Sequence, residues 1–104
     1  MFRFSKQFIK NFKHLAKKYR HIEEDFDRFL ESFTNEHSHA TTIQKNIFKA
    51  RIKNSDKAKG KRGGYRTYYY TITDESVTFL IIYDKSETES IDEVVLDSII
   101  AEID

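Results

Sequence analysis

Ile47-Phe48-Lys49-Ala50-Arg51-Ile52-Lys53 is the stretch on which the reading of the whole chain turns. Before it, apolar residues recur three and four positions apart. From Ile47 the period is two: Phe48, Ala50 and Ile52 point one way, and Lys49, Arg51 and Lys53 the other. That period belongs to a strand with one face buried, here with a cationic outer row. Downstream, Tyr65 to Thr73 is rich in Tyr, Thr and Ile and predicts a second strand. After the turn residues Thr73-Asp74-Glu75-Ser76, the run Val77 to Tyr83 is apolar on both faces, as a central strand is. Between the first two strands, Asn54 to Gly64 is polar and basic and ends in Gly63-Gly64, which predicts a long loop.

Met1-Phe2-Arg3-Phe4 alternates and predicts a short edge strand, with Ser5 as the N-cap of a following helix. Phe8, Ile9, Phe12, Leu15, Ala16 and Tyr19 form its apolar side, and Lys6, Lys10, Lys13 and Lys17 a basic back. A second helical series, Ile22, Phe26, Phe29, Leu30 and Phe33, opens with Glu23, Glu24 and Asp25, acids that suit the positive end of a helix. The two helices are expected over roughly 6–19 and 22–34, and 34–42 reads as a loop. Ser90 followed by Glu93 has the form of a capping box ahead of Ile91, Val94, Val95, Ile99, Ile100 and Ile103, which predicts a final acidic helix. Strand, helical hairpin, three meandering strands and helix in that order make a two-layer α+β domain occupying the whole chain, residues 1–104.

The 104 residues leave room for one core, and nine Phe and six Tyr supply large apolar surfaces for it. With no cysteine, disulfides and thiolate metal sites are excluded. His37-Ser38-His39 has no third ligand candidate nearby and is not read as a metal site. No apolar run approaches the roughly 18 residues a membrane span needs, so a cytoplasmic protein is expected.

The net charge of +1 conceals a division along the chain. Up to Arg66 there are 17 Lys/Arg against 7 Asp/Glu; beyond it Lys85 stands against 10 acids. The densest cluster, Lys45 to Arg66, has 9 basic residues and only Asp56 against them, the composition a polyanion partner requires. The alternative for such a cluster is a solvated surface. Lys53, Lys57, Lys59, Lys61 and Arg62 are the candidate phosphate contacts, since cations beside glycines suit that role. Tyr68, Tyr69 and Tyr70 alternate faces, so at least one is expected at the surface. Tyr65 and Tyr68 are the candidates for stacking on a base, against the alternative of packing in the sheet.

Three segments resemble toxins of the RelE/ParE superfamily. They are Phe48-Lys49-Ala50-Arg51-Ile52, then Lys59-Gly60-Lys61-Arg62-Gly63-Gly64-Tyr65-Arg66 with Tyr68-Tyr69-Tyr70, and Leu80-Ile81-Ile82-Tyr83-Asp84-Lys85-Ser86-Glu87. The Gly-Lys-Arg-Gly-Gly loop is shared with the HigB-like branch. The resemblance spans about Phe48 to Glu87, and the earlier elements agree in order only. It implies a RelE-like fold and a ribosome-dependent mRNA endonuclease, an mRNA interferase that needs no cofactor. It also implies a cognate antitoxin encoded beside the toxin, carrying a helix-turn-helix DNA-binding module.

Cleavage of RNA by its own 2′-hydroxyl needs a proton acceptor, cations for the charge that builds on phosphorus, and a donor for the leaving oxygen. Lys49, Arg51, Arg66 and Lys85 are the candidate catalytic residues, with Arg66 at a solvent-facing strand position. If their strands are neighbours, all four approach one spot, and Arg66 offers a bidentate fork to a phosphate. The resemblance matches Lys49 and Arg66 to phosphate-stabilising positions. It puts Arg51 where some relatives carry a lysine general base, and arginine is always protonated. Ser86 replaces a frequent arginine, and no tyrosine follows Tyr83. The base is left open among Lys49, Lys85 and a group of the ribosome. The competing readings are a ParE-like gyrase inhibitor, which shares the fold without the cationic set, and a non-catalytic RNA-binding member.

Overall fold

The alternating and doubly apolar segments form one sheet, and the helical segments pack on its two faces. The computed structural model describes residues 1–58, 60–73, 75–88 and 90–103. In chain order the elements are β1 (Phe2–Phe4), α1 (Lys6–Lys18), α2 (Ile22–Glu31), α3 (Phe33–Ser38), β2 (Thr41–Gln44), β3 (Ile47–Ile52), a 3-10 turn (Gly60–Gly63), β4 (Tyr65–Thr73), β5 (Ser76–Asp84) and α4 (Glu93–Ala101). The strand order is β1-β5-β4-β3-β2. β1 runs parallel to β5, and every other neighbouring pair is antiparallel. The architecture is α+β, with an N-terminal strand and helical hairpin, a mainly antiparallel sheet and a C-terminal helix. No helix among the described residues is long and apolar enough to cross a membrane.

Ser5 joins the edge strand to the first helix. Its Oγ accepts from the Phe8 amide at 2.9 Å, capping α1, and donates to the Leu80 carbonyl at 2.7 Å. The side chain thus fixes the start of α1 against β5, so that Phe8 and Leu15 face the sheet. Lys6, Lys10, Lys13 and Lys17 face solvent as expected; Ile9 and Ala16 are exposed with them.

The core under the hairpin centres on Phe79 of β5, which is 0% exposed. Its ring lies within 5.3–6.1 Å, centroid to centroid, of Phe8, Phe26, Phe29, Phe33 and Tyr69. β5 is apolar on both faces because it is covered on both. On the opposite face Ile47, Tyr68, Leu80, Ile81 and Tyr83 pack with Leu96 and Ile99 of α4.

Two expectations fail in this part of the structure. None of Tyr68, Tyr69 and Tyr70 is exposed: Tyr69 lies in the hairpin core, Tyr68 beneath α4, and Tyr70 is half-buried. The Ser90–Glu93 capping box does not form either. Asp92 is the N-cap residue and makes no side-chain cap bond, and Val94 and Val95 are exposed.

The second helix is shorter than 22–34. It ends at Glu31, and Ser32 separates it from α3, which occupies the first part of the expected loop. Tertiary contacts hold this short helix: His37 lies 4.7 Å from the Phe48 ring and its Nδ1 is 2.5 Å from the Tyr69 hydroxyl. β2 follows as a hairpin with β3, turning at Asn46, whose φ of 65° is a conformation asparagine tolerates.

Candidate functional site

The β3–β4–β5 register sets the candidate residues in rows. Arg51 stands opposite Arg66, and Arg66 opposite Tyr83. One row along, Lys49 stands opposite Tyr68, and Tyr68 opposite Ile81. Alternation places both rows on the face that α4 partly covers. α4 lies over the lower part, where Tyr68 Oη accepts from the Ile91 amide at 3.1 Å and Gln44 Nε2 donates to Asp97 Oδ1 at 3.1 Å. Arg51 is left exposed.

Lys49, Arg51 and Arg66 come together in one cleft of about 470 Å³, which Glu36, His39, Thr41 and Ile43 also line. Lys85 lies elsewhere, with Lys57, Arg62, Gly63 and Ser86 in a second cleft of about 520 Å³. Three of the four expected catalytic residues therefore share one space, and the fourth joins the loop cations.

Arg66 is only 5% exposed, which corrects the solvent-facing position expected for it. Its guanidinium donates to the Tyr65 carbonyl at 3.1 Å and to the Arg62 carbonyl at 3.2 Å, fixing its direction and holding the 3-10 turn. Burial, and then the Arg51 charge opposite, lower its pKa from the ordinary arginine value, although a guanidinium stays protonated. The Lys49 ammonium sits 5.5 Å from the centre of the Tyr68 ring, a cation–π contact.

Neither tyrosine proposed for base stacking is available. Tyr65 is 0% exposed and packs edge-on to Tyr19 at 5.7 Å; burial, then the nearby Asp25 charge, push its hydroxyl pKa up. Tyr68 is 2% exposed beneath α4. Both turn inward because each face of β4 has a helical cover, one of them supplied by a helix distant in sequence.

Lys57 has a structural engagement of its own. Its Nζ donates to Asp84 Oδ1 at 2.8 Å and lies 5.3 Å from the Tyr19 ring centre. Asp84 is fully buried and accepts as well from Tyr19 Oη, the Ser86 amide and Ser86 Oγ. Burial alone would raise the Asp84 pKa. The bonds from Lys57, Tyr19 and Ser86 outweigh it and hold the carboxyl well below the usual carboxylate range. Lys57 titrates higher than an ordinary lysine: burial pulls it down, and the bonds to Asp84 and Tyr19 more than compensate.

Arg62 and Lys85 are exposed, as is Lys53 beyond the end of β3. Lys59 and the side chain of Lys61 lie outside the described residues. Gly64 has a packing role: a Cβ there would stand 2.0 Å from the Ile52 carbonyl oxygen. Only glycine lets the loop return so closely along β3.

Glu36 is not among the residues singled out from the sequence, and His39 is weighed there only as a metal ligand. The β-branched run Thr41-Thr42-Ile43 before Lys45-Asn46 does mark a hairpin returning into β3, but the placement of Glu36 and His39 depends on α3, which no local pattern marks. A scan against models of known protein families finds no match for this chain, and a comparison with curated proteins finds none either.

Proposed function

We propose that the protein is a ribosome-dependent mRNA endonuclease, the toxin of a type II toxin–antitoxin pair. It cleaves translated mRNA by attack of the ribose 2′-hydroxyl on the adjacent phosphate. The observation that carries this reading is the direct pairing of Arg51 with Arg66, with Lys49 one row away in the same cleft. Like charges set opposite each other across a sheet destabilise it. A bound phosphate removes that repulsion, and the same cations then stabilise the charge that grows as a phosphorane forms. The RelE/ParE-like motifs run through these strands and agree with the arrangement.

Arg66, aimed by two backbone carbonyls, is the fixed ligand of the phosphate; Arg51, exposed at the same cleft, is the adaptable one, and Lys49 approaches from the Tyr68 ring. Arg62 of the 3-10 turn and Lys85 just beyond β5 extend the cationic surface into the neighbouring cleft. The side chains supply the cations the reaction needs, so the mechanism calls for neither a metal nor another cofactor. The partners under this reading are the ribosome, its mRNA and a cognate antitoxin with a helix-turn-helix module, and the location is cytoplasmic.

Translating ribosomes incubated with the purified protein, followed by primer extension on the mRNA, test the reading. New 5′ ends within translated codons support it. Growth arrest on expression, relieved by the open reading frame encoded beside this one, tests the antitoxin part.

A further inference from the structure

Arg51 and Arg66 supply their cleft with cations but not with a proton acceptor, because a guanidinium does not give up its proton near neutrality. The lining of the cleft supplies a candidate. β2 pairs with β3 through Thr41↔Lys49. The turn that joins α3 to β2 brings His39 into the lining of the cleft in which Arg51 stands opposite Arg66. His39 is the residue that ends α3, and it lines the cleft with Glu36, Lys49, Arg51 and Arg66.

Its ring is also held in one tautomer. Nδ1 lies 2.9 Å from the carbonyl oxygen of Asn35, which can only accept, so Nδ1 carries the proton. Ser38 Oγ, itself donating to the same carbonyl, lies 3.2 Å from Nδ1. In the neutral ring Nε2 is then the unprotonated nitrogen, the form of imidazole able to take a proton. His39 is exposed, so the ring is within reach of a bound strand.

We propose that His39 is the general base of the cleavage reaction, an assignment that rests on the endonuclease reading above. Nε2 takes the proton of the ribose 2′-hydroxyl, and the 2′-oxygen bonds to phosphorus while Arg51 and Arg66 hold the equatorial oxygens. The bond from phosphorus to the 5′-oxygen breaks, and that oxygen receives a proton from the Lys49 ammonium. The products are a 2′,3′-cyclic phosphate and a 5′-hydroxyl. Proton exchange with water returns the imidazolium and the lysine amine to their starting forms. The charged groups facing the imidazole are Glu36 from α3, Lys49 and Arg51 from β3, and Arg66 from β4.

The test is single-turnover cleavage on programmed ribosomes, comparing wild type with His39→Gln over roughly pH 5–8, the range in which an imidazole changes charge. The wild-type rate falls toward acid pH. His39→Gln is expected to lower the rate about 10²–10⁴-fold, the usual range for loss of a general base, and to lose that acid limb. Thermal midpoint and ribosome binding should stay at wild-type values, and added imidazole should restore part of the rate, which a structural role would not permit. A His39→Gln rate equal to wild type, an unchanged acid limb, or a loss that imidazole does not restore overturns the assignment while leaving the endonuclease reading in place. Absence of cleavage by the wild type overturns that reading and this assignment together.

Discussion

Arg51 and Arg66 face each other in direct register across β3 and β4, two guanidinium groups where a sheet ordinarily sets a neutral or oppositely charged pair. Opposed like charges cost about 0.2–1 kcal/mol, so this pair is a small standing destabilisation at the proposed site. Arg51→Gln is expected to stabilise the free protein by about that amount, raising the melting temperature by roughly 1–8 °C for a domain of this size. Phosphate or sulfate should raise the wild-type melting temperature more than that of the variant. Differential scanning calorimetry checks both. A variant less stable than wild type would show that the pair is not repulsive.

Phe79 is the residue on which the hairpin face depends, buried among rings from α1, α2, α3 and β4. Phe79→Ala should cost about 3–5 kcal/mol through lost burial and an unfilled cavity. Urea unfolding is the measurement, and a midpoint shift equivalent to less than about 1 kcal/mol would contradict a core centred on this ring.

Asp84 makes folding sensitive to acid. Its folded-state pKa lies below the unfolded value of about 3.9, so its contribution is complete above that pH and is lost as pH falls toward the folded value. Stability should therefore decline below roughly pH 4, and Asp84→Asn should flatten that decline. At pH 7 the variant should be destabilised near the lower end of the about 3–5 kcal/mol that breaking a buried pair costs. The lower end applies because the Lys57 side chain is 21% exposed and can turn to water. Urea midpoints between about pH 2.5 and 7 test both statements.

Arg62→Glu combined with Lys85→Glu should weaken binding of single-stranded RNA uniformly across sequences. The slope of log affinity against log salt should become shallower by about 0.7 for each phosphate that is no longer neutralised. Fluorescence anisotropy over a salt series measures this; an unchanged slope would remove the second cleft from the RNA path.

Much of the frame was legible because its signals are local. Ser5 is a cap in the sequence and a cap in the structure, and the doubly apolar run Val77 to Tyr83 lies in a strand paired on both sides. What escaped depends on residues distant in the chain. α3 is only six residues long and is held by contacts of His37 with Phe48 and Tyr69, which no local pattern announces. In the sequence Tyr68 is a stacking candidate because nothing in its neighbourhood says that α4 covers that face, and Tyr65 because its cover, Tyr19, comes from the end of a helix far earlier in the chain. Lys49, Arg51 and Arg66 do meet in one cleft, as the period of two and the strand order imply. Lys85 lies just past the end of β5, its amide bonded to the Gly64 carbonyl, and so joins Arg62 and Gly63 in the neighbouring cleft, a pairing of loop and strand end that no local pattern announces.

Primer extension of mRNA from translating ribosomes treated with wild-type protein or with Arg51→Gln bears most directly on the proposed chemistry. Arg51 is exposed and is not part of either core, so its replacement tests the chemistry rather than the fold. Wild type is expected to generate new 5′ ends within translated codons. The variant should generate them about 10²–10³-fold more slowly, the usual effect of removing one donor to a developing oxyanion. No new ends with folded wild-type protein, or equal rates for the two proteins, would contradict the account.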